Sequence, residues 1–155
     1  MTARARVLIV AVTVTVAAAT VGVLWYFGGR NQNDWIAITS METLAEKGVV
    51  FEPERNVYVI GTNDGPLALS ARVPHERTDY VRFCPRSGLF ESDFLAAKFD
   101  RLGIYYGGPA KRSLDRIESR VEGGVVYVDP DDVTRGPARG ARDPSPPQGA
   151  FCSPT

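Results

Sequence analysis

The longest apolar run of the chain is VLIVAVTVTVAAATVGVLWYF, Val7 to Phe27, which carries no charged side chain. A helix needs about 20 such residues to cross the hydrocarbon layer of a bilayer, so the run predicts one transmembrane helix over 7–27. Arg4 and Arg6 precede it, and Trp25 and Tyr26 sit at its far end, where aromatic rings favour the membrane interface. The positively charged side stays in the cytoplasm, which keeps residues 1–6 there and sends the rest of the protein outward. A cleaved signal peptide competes with this reading, because the run meets Ala17, Ala18 and Ala19. Cleavage there leaves the greasy start TVGVLWYF, which favours an anchor.

After Gly28 and Gly29 the polar stretch RNQND reads as a tether over 28–34, and from Trp35 the pattern changes to short alternations. WIAIT alternates as a strand. Thr39 and Glu42 then stand at capping-box spacing before a single helical turn through Leu44 that Gly48 closes. In NVYVIGTNDGPLALSA, Val57, Val59 and Ile60 precede Asn63-Asp64-Gly65 and Leu67 and Leu69 follow it, which predicts a hairpin around a tight turn. SRVEGGVVYVD predicts a second hairpin at Gly123-Gly124, and DYVRF, KFD and GIYYGG supply further short β runs. Tyr105 and Tyr106 straddle two pleat faces, so one should be core and the other surface. No periodic helix longer than a few turns follows the anchor, and residues 35–129 read as one mostly antiparallel β domain. From Pro130 to Thr155 the chain turns to Pro, Gly, Arg and Asp, a tail too poor in apolar residues to fold alone and expected to wrap the surface or stay mobile.

At 155 residues the chain has room for one domain of ordinary size. Lys plus Arg and Asp plus Glu each number 18, so no charge field invites nucleic acid as a partner. The basic stretch of Lys111, Arg112, Arg116 and Arg120 is interleaved with Asp115 and Glu118 and reads as a solvated strand face rather than a site for anionic lipid or cytochrome. Asp129, Asp131 and Asp132 form an acidic turn, which is more often a solvated loop than a cation site. His75 is the only histidine and no serine lies in a G-x-S-x-G, so no Ser/His/acid set exists and no catalytic residue is predicted. The two cysteines, Cys84 and Cys152, leave two readings open: a disulfide tying the tail to the domain, favoured outside the cytoplasm, or two separate thiols.

The stretch ALSARVPHERTDYVRFCPRSGLFESDFLAAKFDRLGIYYGGPAKRSLDRIESRVEGGVVYVD resembles the Rieske iron-sulfur domain of quinol-cytochrome c reductases of Gram-positive-type bacteria, over about Trp35 to Asp129. The frame of a first box, A-L-S-x-x-C-P-H, is legible in Ala68, Leu69, Ser70, Pro74 and His75. The frame after a second, C-P-C-H-G-S-x-F-D, is legible in Lys98, Phe99, Asp100 and Gly103, then in Gly108-Pro109-Ala110 and Leu114-Asp115. The resemblance implies a Rieske-like antiparallel β-sandwich on a single N-terminal transmembrane helix, in the plasma membrane, with the main domain extracytoplasmic. It also implies cytochrome b- or c-type complex subunits as partners beside the lipid bilayer.

The family cofactor, a [2Fe-2S] cluster, uses two Cys thiolates on one iron and two His nitrogens on the other. Carried over by position, those ligands fall at Val73, His75, Ser92 and Leu95, so His75 alone is retained. No cluster is expected, because one His and two Cys cannot supply the set. Ala96-Ala97 stands where the family has Gly-Ser, and Phe94 where it has a loop cysteine. Filling a vacated site with Val73, Phe94, Leu95, Ala96 and Ala97 would recover apolar burial, which predicts a plugged site. Phe94 and Leu95, if exposed instead, form a docking tip. The resemblance thus leaves three readings: a non-redox accessory subunit or paralogue of a respiratory complex, a Rieske electron-transfer oxidoreductase, or a free-standing extracytoplasmic binding domain.

Overall fold

Strand β3 (Val57–Thr62) shows why the domain has two cores: Val57 and Val59 enter one apolar cluster and Tyr58 and Ile60 the other, as the two-residue strand period requires. The computed structural model describes residues 35–74, 79–92, 94 and 96–152, all of which belong to one unit beginning at Asp34. The expected transmembrane helix over 7–27, the tether over 28–34, His75 and Leu95 lie outside the described residues. Among the described residues no helix is long and apolar enough to cross a membrane.

Among the described residues, ten strands form two antiparallel sheets. The larger joins β1 (Ile36–Ser40), β10 (Val125–Thr134), β9 (Arg116–Glu122), β4 (Gly65–Ser70), β3 and β2 (Val49–Glu52) in that order. Helix α1 (Met41–Lys47) packs against β1, β2 and β3, and its Leu44 shares a core with Val126 and Val128 of β10 and Val57 and Val59 of β3. One cluster thus takes side chains from both ends of the strand order, and the sheet curls around it in a partial barrel rather than lying flat in a sandwich. The smaller sheet joins β5 (Val81–Cys84), β6 (Leu89–Ser92), β7 (Lys98–Phe99) and β8 (Tyr105–Gly107). Phe90 and Phe99 of this sheet meet Tyr58, Ile60 and Leu69 of the barrel in the second core.

Both expected hairpins are present. Thr62 pairs with Gly65 across Asn63-Asp64, and the Thr62 hydroxyl donates to the Gly65 carbonyl at 2.7 Å. Glu122 pairs with Val125 across Gly123 and Gly124, whose φ of 57° and 79° suit the twist of a two-residue hairpin. The helix is capped one residue later than expected and runs longer than a single turn, while Gly48 closes it as expected. Its N-cap is Ser40, whose Oγ accepts the Thr43 N–H at 3.1 Å, while Thr39 remains in β1. It continues past Leu44 to Lys47, where Gly48 at φ 70° closes it. Tyr105 and Tyr106 are both half-buried rather than divided between core and surface.

β10 also runs beyond the expected domain edge at Asp129. Its register with β9 shifts between Asp129 and Val133, which accommodates Pro130, and it then re-pairs at Val133 with Ile117. The tail beyond Thr134 is laid across the domain by its backbone. Ser113 N–H donates to the Pro137 carbonyl (2.9 Å), Ser145 N–H to Asp100 Oδ2 (2.9 Å), Gln148 N–H to the Ser87 carbonyl (2.7 Å) and Cys152 N–H to Glu91 Oε2 (2.9 Å). Cys152 is joined to Cys84 by a disulfide, with Cα atoms 5.6 Å apart. A Cβ on Gly149 would stand 2.5 Å from the Arg86 carbonyl oxygen, so only glycine lets the strap lie this close.

Candidate functional site

Two loops at one end of the small sheet hold the positions singled out in the sequence. The first leaves the barrel at Ser70. An Arg72–Tyr80 bridge and a Val73 N–H bond to the Asp79 carbonyl at 2.9 Å close its base. The second turns between Ser92 and Ala97, where the Ser92 N–H donates to the Ala97 carbonyl at 2.8 Å. Ala96 takes a left-handed φ of 55° inside that turn. The segment after β8 presses against it: a Cβ on Gly108 would lie 2.5 Å from the Ala96 carbonyl oxygen, and the Tyr105 hydroxyl donates to the Gly108 carbonyl at 2.7 Å.

Between the loops lies a buried polar contact. The Ser92 hydroxyl donates to Asp79 Oδ2 at 2.6 Å, and the two residues are 0% and 4% exposed. Val73 is 1% exposed and Ala97 is fully buried, so these two fill the site as expected. Phe94 does not: it is 87% exposed, and Ala96 is exposed beside it. The expected plug is therefore corrected to two small apolar side chains and a hydrogen-bonded Ser–Asp pair. The tight Ser92–Ala97 closure and the left-handed Ala96 turn the tip away from the core and carry the Phe94 ring outward.

The fold resembles that of a solved protein, the cyanobacterial plasma membrane Rieske protein PetC3 from Synechocystis PCC 6803, with a TM-score of 0.52 and 26% identity over 60% of this chain and 97% of that one. The fold is Rieske-like. No family model and no curated protein matches the chain.

The side chains of this Rieske-like domain do not fit a cluster held by two thiolates and two imidazoles. The chain has one histidine and two cysteines, and both cysteines are consumed in their mutual disulfide. Val73 offers no donor atom, and the Ser92 hydroxyl is committed to Asp79. The disulfide sits at the Cys84–Leu89 end of the β5–β6 hairpin, whereas Ser92 pairs with Val81 at the other end, about 10 Å away at strand rise. Among the described residues no three His, Cys, Asp or Glu side chains cluster, and the acidic turn holds only an Asp131 N–H bond to Asp129 Oδ1 at 3.1 Å.

Several organising residues escaped sequence reasoning. Asp79 lies 13 positions from Ser92 and no local spacing marks the pair. Glu91 is buried under the strap, where it accepts the Ser87 hydroxyl at 2.5 Å and the Cys152 N–H, and Lys98 lies beneath the Phe151 ring with Nζ 3.3 Å from its centroid. Arg112 and Asp115, read as part of a solvated face, form a half-buried bidentate pair instead. Burial pushes the Asp115 carboxyl up, but the Arg112 guanidinium, the Gly136 N–H and the Arg135 charge outweigh it and hold the carboxyl below its ordinary range.

Proposed function

We propose that this protein is a membrane-anchored, cluster-less relative of the Rieske proteins, serving as a non-redox accessory subunit or paralogue of a quinol-cytochrome c reductase-type complex. The observation that carries this reading is the Ser92–Asp79 hydrogen bond. A ligand position taken by a hydroxyl already bonded to a buried carboxylate is an interior built to stand without iron. The apolar run over 7–27 supports an anchor, as does the plasma-membrane Rieske protein whose fold this domain resembles. Phe94, held outward on a closed turn, serves as the contact tip toward a partner subunit.

The test is gentle detergent extraction of a C-terminally tagged chain from its native membrane, with iron, acid-labile sulfide and haem measured on what co-purifies. The expected result is haem of b or c type in fixed ratio and no iron or sulfide beyond that of the partners. Stoichiometric sulfide with iron outside haem would assign electron transfer to the chain and overturn the proposal. A haem-free preparation would make it a free-standing extracytoplasmic domain.

A further inference from the structure

The chain crosses between its two sheets twice, outward through Ser70–Pro74 and back through the segment ending at Asp115, and the Ser70 N–H donates to the Asp115 carbonyl where the crossings meet. A cleft of about 480 Å³ opens beside this junction, bounded on its other sides by the β2–β3 turn and the irregular part of β10. That volume suits a small organic ligand. Its polar walls are Arg55, Asn56, Ser70, Arg72 and the Arg112–Asp115 pair, and its apolar walls include Val73 and Val133.

The charge in this cleft is unbalanced. Asp115 neutralises Arg112 through two parallel contacts. Among the described residues neither Arg55 nor Arg72 makes an ion pair; Arg72 has only the Tyr80 ring, 5.9 Å from its guanidinium carbon. Asp131 and Asp132 follow Pro130 on the exposed rim, and neither they nor Asp129 line the cavity. Ser70 Oγ accepts the Arg72 N–H at 3.3 Å, which leaves its proton free to donate inward. The site therefore offers two uncompensated guanidinium forks, a hydroxyl and an amide above an apolar wall.

We propose that this cleft binds an organic phosphate monoester. A phosphate monoester carries about −1.5 to −2 charge at neutral pH, which matches two unpaired arginines where a monocarboxylate would match one. Guanidinium forks fit its oxygens bidentately. The apolar wall receives the organic portion. A ligand here touches both crossings and so fixes the small sheet, with its tip, against the barrel.

The experiment is isothermal titration of the full chain in detergent micelles with phenyl phosphate, inorganic phosphate and phenol. The expected result is saturable one-to-one binding of phenyl phosphate, weaker binding of inorganic phosphate, none of phenol, and at least about tenfold weakening in an Arg55→Gln, Arg72→Gln double variant. Both side chains are exposed, so the variant should keep the wild-type urea midpoint. Absence of saturable binding at millimolar phenyl phosphate, or equal affinity in the wild type and the double variant, would overturn the proposal. Competition by dihexanoyl phosphatidate identifies the source: tighter than phenyl phosphate marks a lipid headgroup, weaker a soluble ester.

Discussion

Ser92 and Asp79 illustrate how much a single substitution depends on what the fold brings beside it. Removing the hydroxyl in Ser92→Ala leaves a buried carboxylate without that partner, so urea denaturation should show a loss of about 1.5–3 kcal/mol. Placing a thiol there by Ser92→Cys should not confer iron binding, because the chain lacks the other donors of a two-thiolate, two-imidazole set; iron analysis of the purified variant checks this. Asp115 gives a pH signature of the opposite character to a surface acid. Its carboxyl ionises at lower pH in the folded chain than its unfolded value of 3.8, so its stabilisation is complete above that value and lost as pH falls through the folded one. Arg112→Gln should diminish this acid limb, read from urea midpoints between neutral pH and pH of about 3. That Val73 and Ser92 stand where the resemblance implies ligands was legible in the sequence. The hydrogen bond between Ser92 and Asp79 was not, since Asp79 reaches Ser92 only after two loops meet in space.

The hairpins were legible because their turns are local: Asn63-Asp64-Gly65 and Gly123-Gly124 fix chain reversal within a few residues. The helix cap slipped by one residue because Thr39 and Ser40 are both competent caps, and β1 runs on through both, paired with Val126 and Val125, so the cap falls on Ser40, the last residue of the strand. The tail was the least legible element. Its composition lacks apolar residues, yet main-chain hydrogen bonds, a buried glutamate and a disulfide replace the missing burial. A Cys84→Ser, Cys152→Ser variant should lose about 2–5 kcal/mol by denaturation. Limited proteolysis should then cut first within residues 140–152, a region the wild type protects.

At the scale of the whole molecule, Tyr58 ties barrel to small sheet. Its hydroxyl donates to the Val81 carbonyl and accepts the Phe83 N–H, each at 3.3 Å, and its ring stands 4.8 Å from that of Phe90. Burial pushes this hydroxyl above its usual 10.0, against the lowering effects of the Phe83 N–H and the Arg82 charge. Stability should therefore hold up to about pH 10 and fall as pH rises through the folded value, a decline that Tyr58→Phe removes at a cost of about 1 kcal/mol at neutral pH. The disulfide has a further bearing on biosynthesis. Cys152 is made 68 residues after Cys84, when every strand of the domain has already been translated. A chain interrupted anywhere from Lys98 to Phe151 carries an alkylatable thiol at Cys84, whereas one carried through Cys152 carries none, and so the latch reports chemically that every strand of the domain has been made.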